Sequence, residues 1–343
     1  MPQGIFLFRW SAKRGILLLG KHPEDLEVDI DLLTDALGLR ILRERRPGFF
    51  TSKVRGIKLV AYTSGPDAFT TFGISLSPKE DELTYRGPLV RLVTRWLKTG
   101  EMPTSAEEWE SVWKYIIEFP TLSLEQRLAD AFVDAEARMA HGILVELGIL
   151  PLTDFIDRLQ GEFPDVTSDV LASFIYTLVG LGVFGSKYDP KAMIDWIFLL
   201  RDVVFYRAAP PNMKEIASRV SNFERDYKEF ARNYVEGAWE REQGLIPYII
   251  MHSAAYKLLQ EFRKKGILHR NEIPSELEDG LNLLLEHNIV RESSDIYYLF
   301  TDVRCALLFP KYTIRRVLER VKEKEIDVKL ALMYLEELKR SYL

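Results

Sequence analysis

The sequence of 343 residues has one cysteine, Cys305, and no surplus of basic residues. A single cysteine excludes an intramolecular disulfide and a cysteine-rich zinc site, and it is typical of proteins from a reducing compartment. The formal net charge of −5 differs from the strong positive charge of most nucleic-acid-binding domains. We expect Cys305 to be a small buried apolar residue rather than a reactive thiol.

Long apolar runs are also missing, as is a basic region followed by an apolar stretch at the start of the sequence. Charged residues interrupt every apolar run before it reaches the roughly eighteen residues that a membrane-spanning helix needs. With 47% hydrophobic residues, the chain is nevertheless long enough for two or three domains with separate cores. We therefore expect a globular, cytoplasmic protein without a membrane span.

Motifs for catalysis and for metal or nucleotide binding are equally scarce. The five histidines have no paired metal spacing, and no Gly-x-Ser-x-Gly, His-Glu-x-x-His or kinase signature occurs. Residues 180–185 have the spacing of a dinucleotide fingerprint, but a helical pattern precedes them where that site needs a strand. We therefore predict no enzyme activity, no cofactor and no metal site.

What the sequence does contain is an internal repeat. Residues 195–203, Asp-Trp-Ile-Phe-Leu-Leu-Arg-Asp-Val, return one hundred residues later as Asp-Ile-Tyr-Tyr-Leu-Phe-Thr-Asp-Val at 295–303. Upstream, Gly-Ile-Leu at 148–150 corresponds to Gly-Ile-Leu at 266–268. Two copies of one small module are therefore expected to fill the C-terminal two thirds of the chain.

Each copy predicts three helices followed by a pair of strands, which is the order of a winged helix. The third helices end near Gly182 and Asn288, residue types that suit the left-handed turn at a helix end. We expect Leu199 and Leu299 to point inward. We expect the carboxylates of the repeat to make turn and cap hydrogen bonds.

Winged helices are often DNA readers, and the third helix of each copy bears on that function. A recognition helix needs Arg, Lys, Asn or Gln for base edges and nearby cations for phosphates. Residues 168–184 contain no Lys or Arg and are almost entirely apolar, while 275–290 contain four acids and no Lys or Arg. We therefore interpret both copies as protein-interaction modules. A winged-helix DNA-binding transcription regulator remains the alternative.

Two charged segments with helical apolar stripes, 212–243 and 313–343, follow the first and the second copy. We expect them to pack against the modules, with dimerisation through these helices as the alternative. Their stripes consist of Tyr227, Phe230, Ala231 and Tyr234 in the first, and of Val317, Val321, Leu330, Leu332, Leu335 and Leu338 in the second.

Residues 1–120 predict two strands, a helix, three strands and two helices. The strands are expected at 5–9, 15–20, 49–54, 57–63 and 69–76, and the helices at 22–37, 88–99 and 105–118. This order resembles the longin domain, a five-stranded antiparallel sheet with helices on its faces. The resemblance implies protein binding through a helix or an exposed sheet edge.

Arg43, Arg45 and Arg46 make a compact basic loop before the third predicted strand. The loop is either a solvated connection or a contact for an acidic partner or a nucleotide phosphate. We take these three arginines as the candidate partner-contact residues.

A longin-like domain followed by two winged helices resembles the nitrogen permease regulator-like proteins, subunits of the GATOR-type complex that acts on Rag-type small GTPases. Residues 69–76, the acidic loop after them and residues 88–93 are similar to that family's last strand and following helix. In the catalytic family member an arginine finger precedes this strand. The loop 64–68 has no arginine here, so no catalytic residue carries over, and GTPase activation through Arg43, Arg45 or Arg46 stays a separate hypothesis.

The sequence thus predicts an α+β chain with a longin-like domain at 1–120 and a first winged-helix unit at 121–211. A connecting helix at 212–244 and a second winged-helix unit with a C-terminal helix at 245–343 follow. We expect a non-enzymatic scaffold or regulator of a small GTPase or of a longin- or roadblock-type complex. A homodimer and a heterodimer both stay open.

Overall fold

A computed structural model describes residues 2–11, 13, 15–28, 47–54, 57–64, 70–238 and 242–342. The chain is mixed α+β, with an N-terminal five-stranded antiparallel sheet followed by a helical region, which confirms the predicted class. The strands are β1 Gly4–Ser11, β2 Gly15–His22, β3 Gly48–Val54, β4 Ile57–Thr63, β5 Thr70–Leu76, β6 Ile149–Pro151, β7 Phe184–Asp189, β8 Ile194–Leu199, β9 Asp202–Ala208, β10 Ile267–His269, β11 Val290–Ser293, β12 Ile296–Leu299 and β13 Asp302–Leu308.

Thirteen α-helices lie in the described ranges. They are α1 Leu83–Thr99, α2 Ala106–Glu118, α3 Leu124–Phe132, α4 Ala135–Leu147, α5 Leu152–Glu162, α6 Ser168–Gly180, α7 Met213–Arg219, α8 Phe223–Asn233, α9 Leu245–Met251, α10 Ser253–Lys265, α11 Glu278–Glu286, α12 Lys311–Lys322 and α13 Val328–Tyr342. No helix in those ranges is long and apolar enough to cross a membrane.

The chain forms two compact units. Unit 1 comprises Met1–Leu122, Met139–Asp202 and Phe309–Leu343, and unit 2 comprises Ser123–Arg138 and Val203–Leu308. These units interleave along the sequence and therefore do not have the ranges of the four predicted domains. The predicted division of the sequence into four consecutive domains therefore stays a prediction.

The N-terminal sheet of unit 1 has the strand order β2-β1-β5-β4-β3. Ile74 in the central strand pairs with Ile5 on one side and with Val60 on the other, so these three side chains share one face. α1 and α2 pack on that face, where the rings of Phe72 and Trp96 lie 4.9 Å apart. The opposite face carries a second apolar cluster: Phe6, Phe8, Ile16, Phe50, Leu59 and Ala61.

Two predicted helices of this region do not begin where the sequence placed them. α1 begins at Leu83, five residues before Pro88, the predicted start, and the Asp81 carboxylate accepts the Leu83 N–H at 3.0 Å. The predicted start was therefore five residues too late. The predicted helix at 22–37 was wrong over 22–28, where His22 ends β2 and the following residues are not helical, and its remainder lies outside the described residues.

Each copy of the repeat begins with a broken helix, whereas the sequence predicted continuous helices at 124–147 and 245–265. The first break follows Phe132, where the Arg138 guanidinium donates to the Phe132 and Val133 carbonyls, both at 2.7 Å. The second break falls at His252, whose Nδ1 accepts the Ala255 N–H at 3.3 Å and caps α10. Side chains therefore satisfy backbone groups that a continuous helix would have paired.

The three-stranded sheets of the two copies have the same register. In unit 1, β8 lies between β6 and β7, and Ile149 pairs with Phe198. In unit 2, β12 lies between β10 and β11, and Ile267 pairs with Tyr298. The repeat seen in the sequence is therefore a repeat of backbone structure.

Candidate interaction site

The Gly-Ile-Leu turn of the first copy receives a helix from elsewhere in the chain. Gly148 follows α4 with a left-handed φ of +75°, and a Cβ atom there would lie 2.3 Å from Val317 Cγ2 of α12. Only glycine allows both the backbone angle and this close approach. Thr313 Oγ1 donates to the Val145 carbonyl at 2.8 Å, which satisfies an acceptor that the end of α4 leaves open.

The second copy has a corresponding contact. Gly266 follows α10 with φ +74°, and a Cβ atom there would lie 2.9 Å from the Cβ of Asn212 and 3.3 Å from Ile216 Cγ1 of α7. Asn212 Nδ2 donates to the Lys264 carbonyl at 3.0 Å and caps the end of α10. Each turn thus binds a helix through an apolar contact and through hydrogen bonds to carbonyls at the end of the preceding helix.

Each turn binds the helix that follows the other copy of the repeat. α7 follows β9 of the first copy and contacts the turn of the second, whereas α12 follows β13 of the second copy and contacts the turn of the first. The backbone N–H of Leu199 donates to Gly148 at 3.0 Å, and that of Leu299 donates to Gly266 at 2.9 Å. Both leucines are fully buried, as predicted.

The third helices differ between the copies. In α6 the residues from Asp169 to Leu178 are all buried, and the helix packs against α1 within unit 1. In α11 one side is buried and the acidic side chains are exposed. The turns after both helices have the predicted left-handed angles, φ +69° at Gly182 and +52° at Asn288. Neither helix presents Lys or Arg to a nucleic acid.

A buried ionic cluster lies in unit 2. Arg263 Nη1 lies 2.9 Å from Glu125 Oε2, and Arg263 Nε lies 2.8 Å from Asp302 Oδ1. Burial alone would lower the pKa of Arg263, but the hydrogen bonds and charges of Glu125 and Asp302 raise it above its ordinary value. No pattern in the sequence indicated this cluster, since 138 positions separate Arg263 from Glu125. Charge pairs on one helix face recur at short spacing, and these do not.

Beside this cluster lies a cavity of about 250 Å³. Cys305 lines it and is partly buried, and burial, helped by the charge of Glu125, raises the pKa of its thiol to about 12. A protonated thiol is a poor nucleophile. The Glu125 carboxylate is already bonded to Arg263 and to the Cys305 N–H, so this wall offers no free base.

Two carboxylates of the repeat have partners that the sequence did not indicate. Asp302 is fully buried and pairs with Arg263 and Arg304, and Asp195 accepts the Tyr176 hydroxyl at 2.9 Å. The prediction of turn and cap hydrogen bonds was wrong for Asp302, whose carboxylate pairs with two arginines instead. Arg263 and Tyr176 lie on helices far from these aspartates in the sequence, so a local pattern does not reveal them.

The remaining predicted sites have three outcomes. Arg43, Arg45 and Arg46 lie outside the described residues, so their role as partner contacts stays a prediction. In residues 180–185 the helix α6 precedes the strand β7, the reverse of the order in a dinucleotide site. Within the described ranges, no group of three or more His, Cys, Asp or Glu side chains could hold a metal ion.

No protein-family model matches the chain, and no curated protein sequence matches it either. The described sites are turns that bind helices of the same chain and charge clusters whose members bond one another.

Proposed function

We propose that the chain is a non-enzymatic interaction scaffold or regulator in the cytoplasm. In this proposal residues 1–120 are a longin-like domain and the two copies of the repeat are winged-helix modules. Its partner is a small GTPase of the Rag type or a subunit of the longin or roadblock type, with Arg43, Arg45 and Arg46 as the proposed contact residues.

The main support for this proposal is that α6 is buried. A DNA-reading winged helix inserts its third helix into the major groove, which requires an exposed helix with donors for base edges. In α6 the ten residues 169–178 are buried, and in α11 the exposed side chains Glu278, Asp279 and Glu286 would repel phosphates. Both observations favour a protein partner over the alternative of a transcription regulator.

Affinity capture with the full chain tests the proposal. Wild-type protein and the variant R43A/R45A/R46A would each be exposed to native lysate, with bound proteins identified by mass spectrometry. We expect the wild type to retain a small GTPase or a longin- or roadblock-type subunit and the variant to lose it. The matched control replaces three exposed lysines instead, Lys114, Lys191 and Lys228, and should retain the partner. Recovery of chromatin or RNA polymerase proteins alone would contradict the proposal.

Two measurements separate it from the other hypotheses. Fluorescence anisotropy with mixed DNA duplexes at low salt should stay flat, whereas salt-sensitive binding would support the transcription regulator. Addition of the chain should leave the hydrolysis rate of the captured GTPase unchanged. An acceleration that R43A/R45A/R46A abolishes would instead assign GTPase activation to these arginines.

A further inference from the structure

One side of α12 carries cations that no described residue neutralises. Lys311, Arg315 and Lys322 are exposed, with Leu318 47% exposed between the last two. Their spacing of four and seven residues places them on one side of the helix. None of the three takes part in an ion pair or a side-chain hydrogen bond within the described ranges. We call these four residues the basic face.

The other cations of the same helix are neutralised. Arg316 Nη1 lies 2.7 Å from Glu319 Oε2, and Arg320 Nε lies 3.0 Å from Glu325 Oε2. Val317, on the inner side, is fully buried in unit 1. The cations of α12 without an ion-pair partner among the described residues therefore lie on the side that faces solvent.

An acidic counterpart lies on α11 and the turn before it. Glu276, Asp279 and Glu286 are exposed and make no ion pair or side-chain hydrogen bond in the described part of the chain. Asp279, in the first turn, is favoured by the helix dipole, but Glu286 is the last residue of the helix, where the dipole disfavours a carboxylate. The helix itself therefore gives no reason for an acid at Glu286. We call these three residues the acidic face.

We propose that the basic face of α12 binds the acidic face of α11 in a second copy of this chain. Arg315 and Lys322 are seven residues apart, as are Asp279 and Glu286, so each pair spans about 10.5 Å along its helix. Opposite charges at equal spacing can pair in register, and Leu318 loses solvent contact between them. This inference does not depend on the proposed function.

A second copy fits the basic face better than other anionic surfaces do. The apolar side of α12 is used inside unit 1, so the helix has no broad apolar face to insert into a bilayer. The net charge of −5 opposes binding to nucleic acid. Because the two faces are different patches, the contact is heterologous and extends into rings or chains as concentration rises.

Sedimentation equilibrium of the full chain tests this proposal. At about 0.1 M salt the Debye length is about 10 Å, and we expect the average mass to rise with protein concentration. At about 1 M salt the Debye length falls to about 3 Å, and the average mass should return to that of one chain. The variants K311E/R315E/K322E and E276K/D279K/E286K should each stay monomeric at the lower salt. Circular dichroism establishes that both remain folded.

The chain that carries all six reversals has the native net charge and should self-associate again. The control K114E/K191E/K228E changes the charge by the same amount as the first variant and should behave as the wild type. A wild type that stays monomeric at the lower salt overturns the proposal, as does failure of the sixfold variant to recover. Binding of monomeric wild type to anionic vesicles or to a DNA duplex, without self-association, would assign the basic face to those ligands and also overturn it.

Discussion

Arg263 Nε donates to the Asp302 carboxylate at 2.8 Å, and the exposed fractions of the two side chains are 9% and 0%. Arg263 lies at the end of α10 and Asp302 at the start of β13, so the pair joins two elements of unit 2. Glu125 from α3 completes the cluster on the other side of the guanidinium.

We predict that Asp302→Ala lowers the free energy of unfolding by about 1–3 kcal/mol, because the buried Nε of Arg263 loses its acceptor while Glu125 still neutralises the guanidinium. The neighbouring pair of Lys264 and Glu261 is a suitable control, since its side chains are 68% and 45% exposed. Lys264→Ala should cost at most about 1 kcal/mol. Thermal melting of both variants measures the difference, and equal losses would show that burial of the pair is not the cause.

Cys305 should be almost inert in the folded protein. With a pKa of about 12 against about 8.5 in an unfolded chain, its thiolate fraction at pH 8 is lower by a factor on the order of a thousand. Folding therefore favours the neutral thiol, and this contribution to stability is lost as pH rises from about 8.5 towards 12. The rates at which Cys305 reacts with a thiol reagent at pH 8, with and without denaturant, measure the ratio between the unfolded and the folded protein.

Glu125→Gln provides the companion variant. Removing the carboxylate charge next to Cys305 should lower the thiol pKa and speed the reaction in the folded state, while burial keeps it well below the rate of the unfolded chain. A wild-type thiol that reacts as fast when folded as when unfolded would contradict the buried position of the sulfur.

Much of this fold was readable from the sequence because its signals are local. Short apolar runs and polar turns indicated the five N-terminal strands, and glycine or asparagine at 182 and 288 indicated left-handed turns. The repeat was visible because β8 and β12 have the same register and carry apolar or aromatic residues at the same positions. Neither inference needed knowledge of a distant residue.

The features that escaped prediction depend on residues far apart in sequence. The break after Phe132 depends on Arg138, which reaches back to carbonyls of the preceding helix. The exchange of α7 and α12 depends on the approach of Val317 to Gly148, separated by 169 positions. Leu332 was predicted in the apolar stripe of α13 but is 54% exposed, because the helix turns its Ala331 and Tyr334 side to the core.

Two tyrosines of unit 1 make a matched test of buried hydroxyl groups. The Tyr334 hydroxyl is buried and has no hydrogen-bond partner among the described residues, whereas the Tyr176 hydroxyl donates to Asp195. Tyr334→Phe should therefore leave the free energy of unfolding unchanged or raise it by up to about 1 kcal/mol, since it removes an unsatisfied polar group. Tyr176→Phe should lower it by about 1–3 kcal/mol, because the Asp195 carboxylate loses its donor. Denaturant titration measures both, and a larger loss in Tyr334→Phe would reveal a partner for that hydroxyl.

Gly148 should be the more sensitive of two glycines in the same short segment. In Gly148→Ala the new Cβ meets Val317 Cγ2 at 2.3 Å and the backbone keeps a φ of +75°, so we expect a loss of about 2–4 kcal/mol in stability. Gly142 lies within α4, where an added methyl group would meet nothing within 4 Å, and Gly142→Ala should raise stability by about 0.5–1 kcal/mol. The double variant Gly148→Ala/Val317→Ala separates the two causes, because it removes the clash and keeps the backbone strain. Its free energy of unfolding should be lower than that of Val317→Ala by about 1–2 kcal/mol, which is the cost of the left-handed angle for alanine. An unchanged melting temperature in Gly148→Ala would mean that α12 does not pack on this turn in solution.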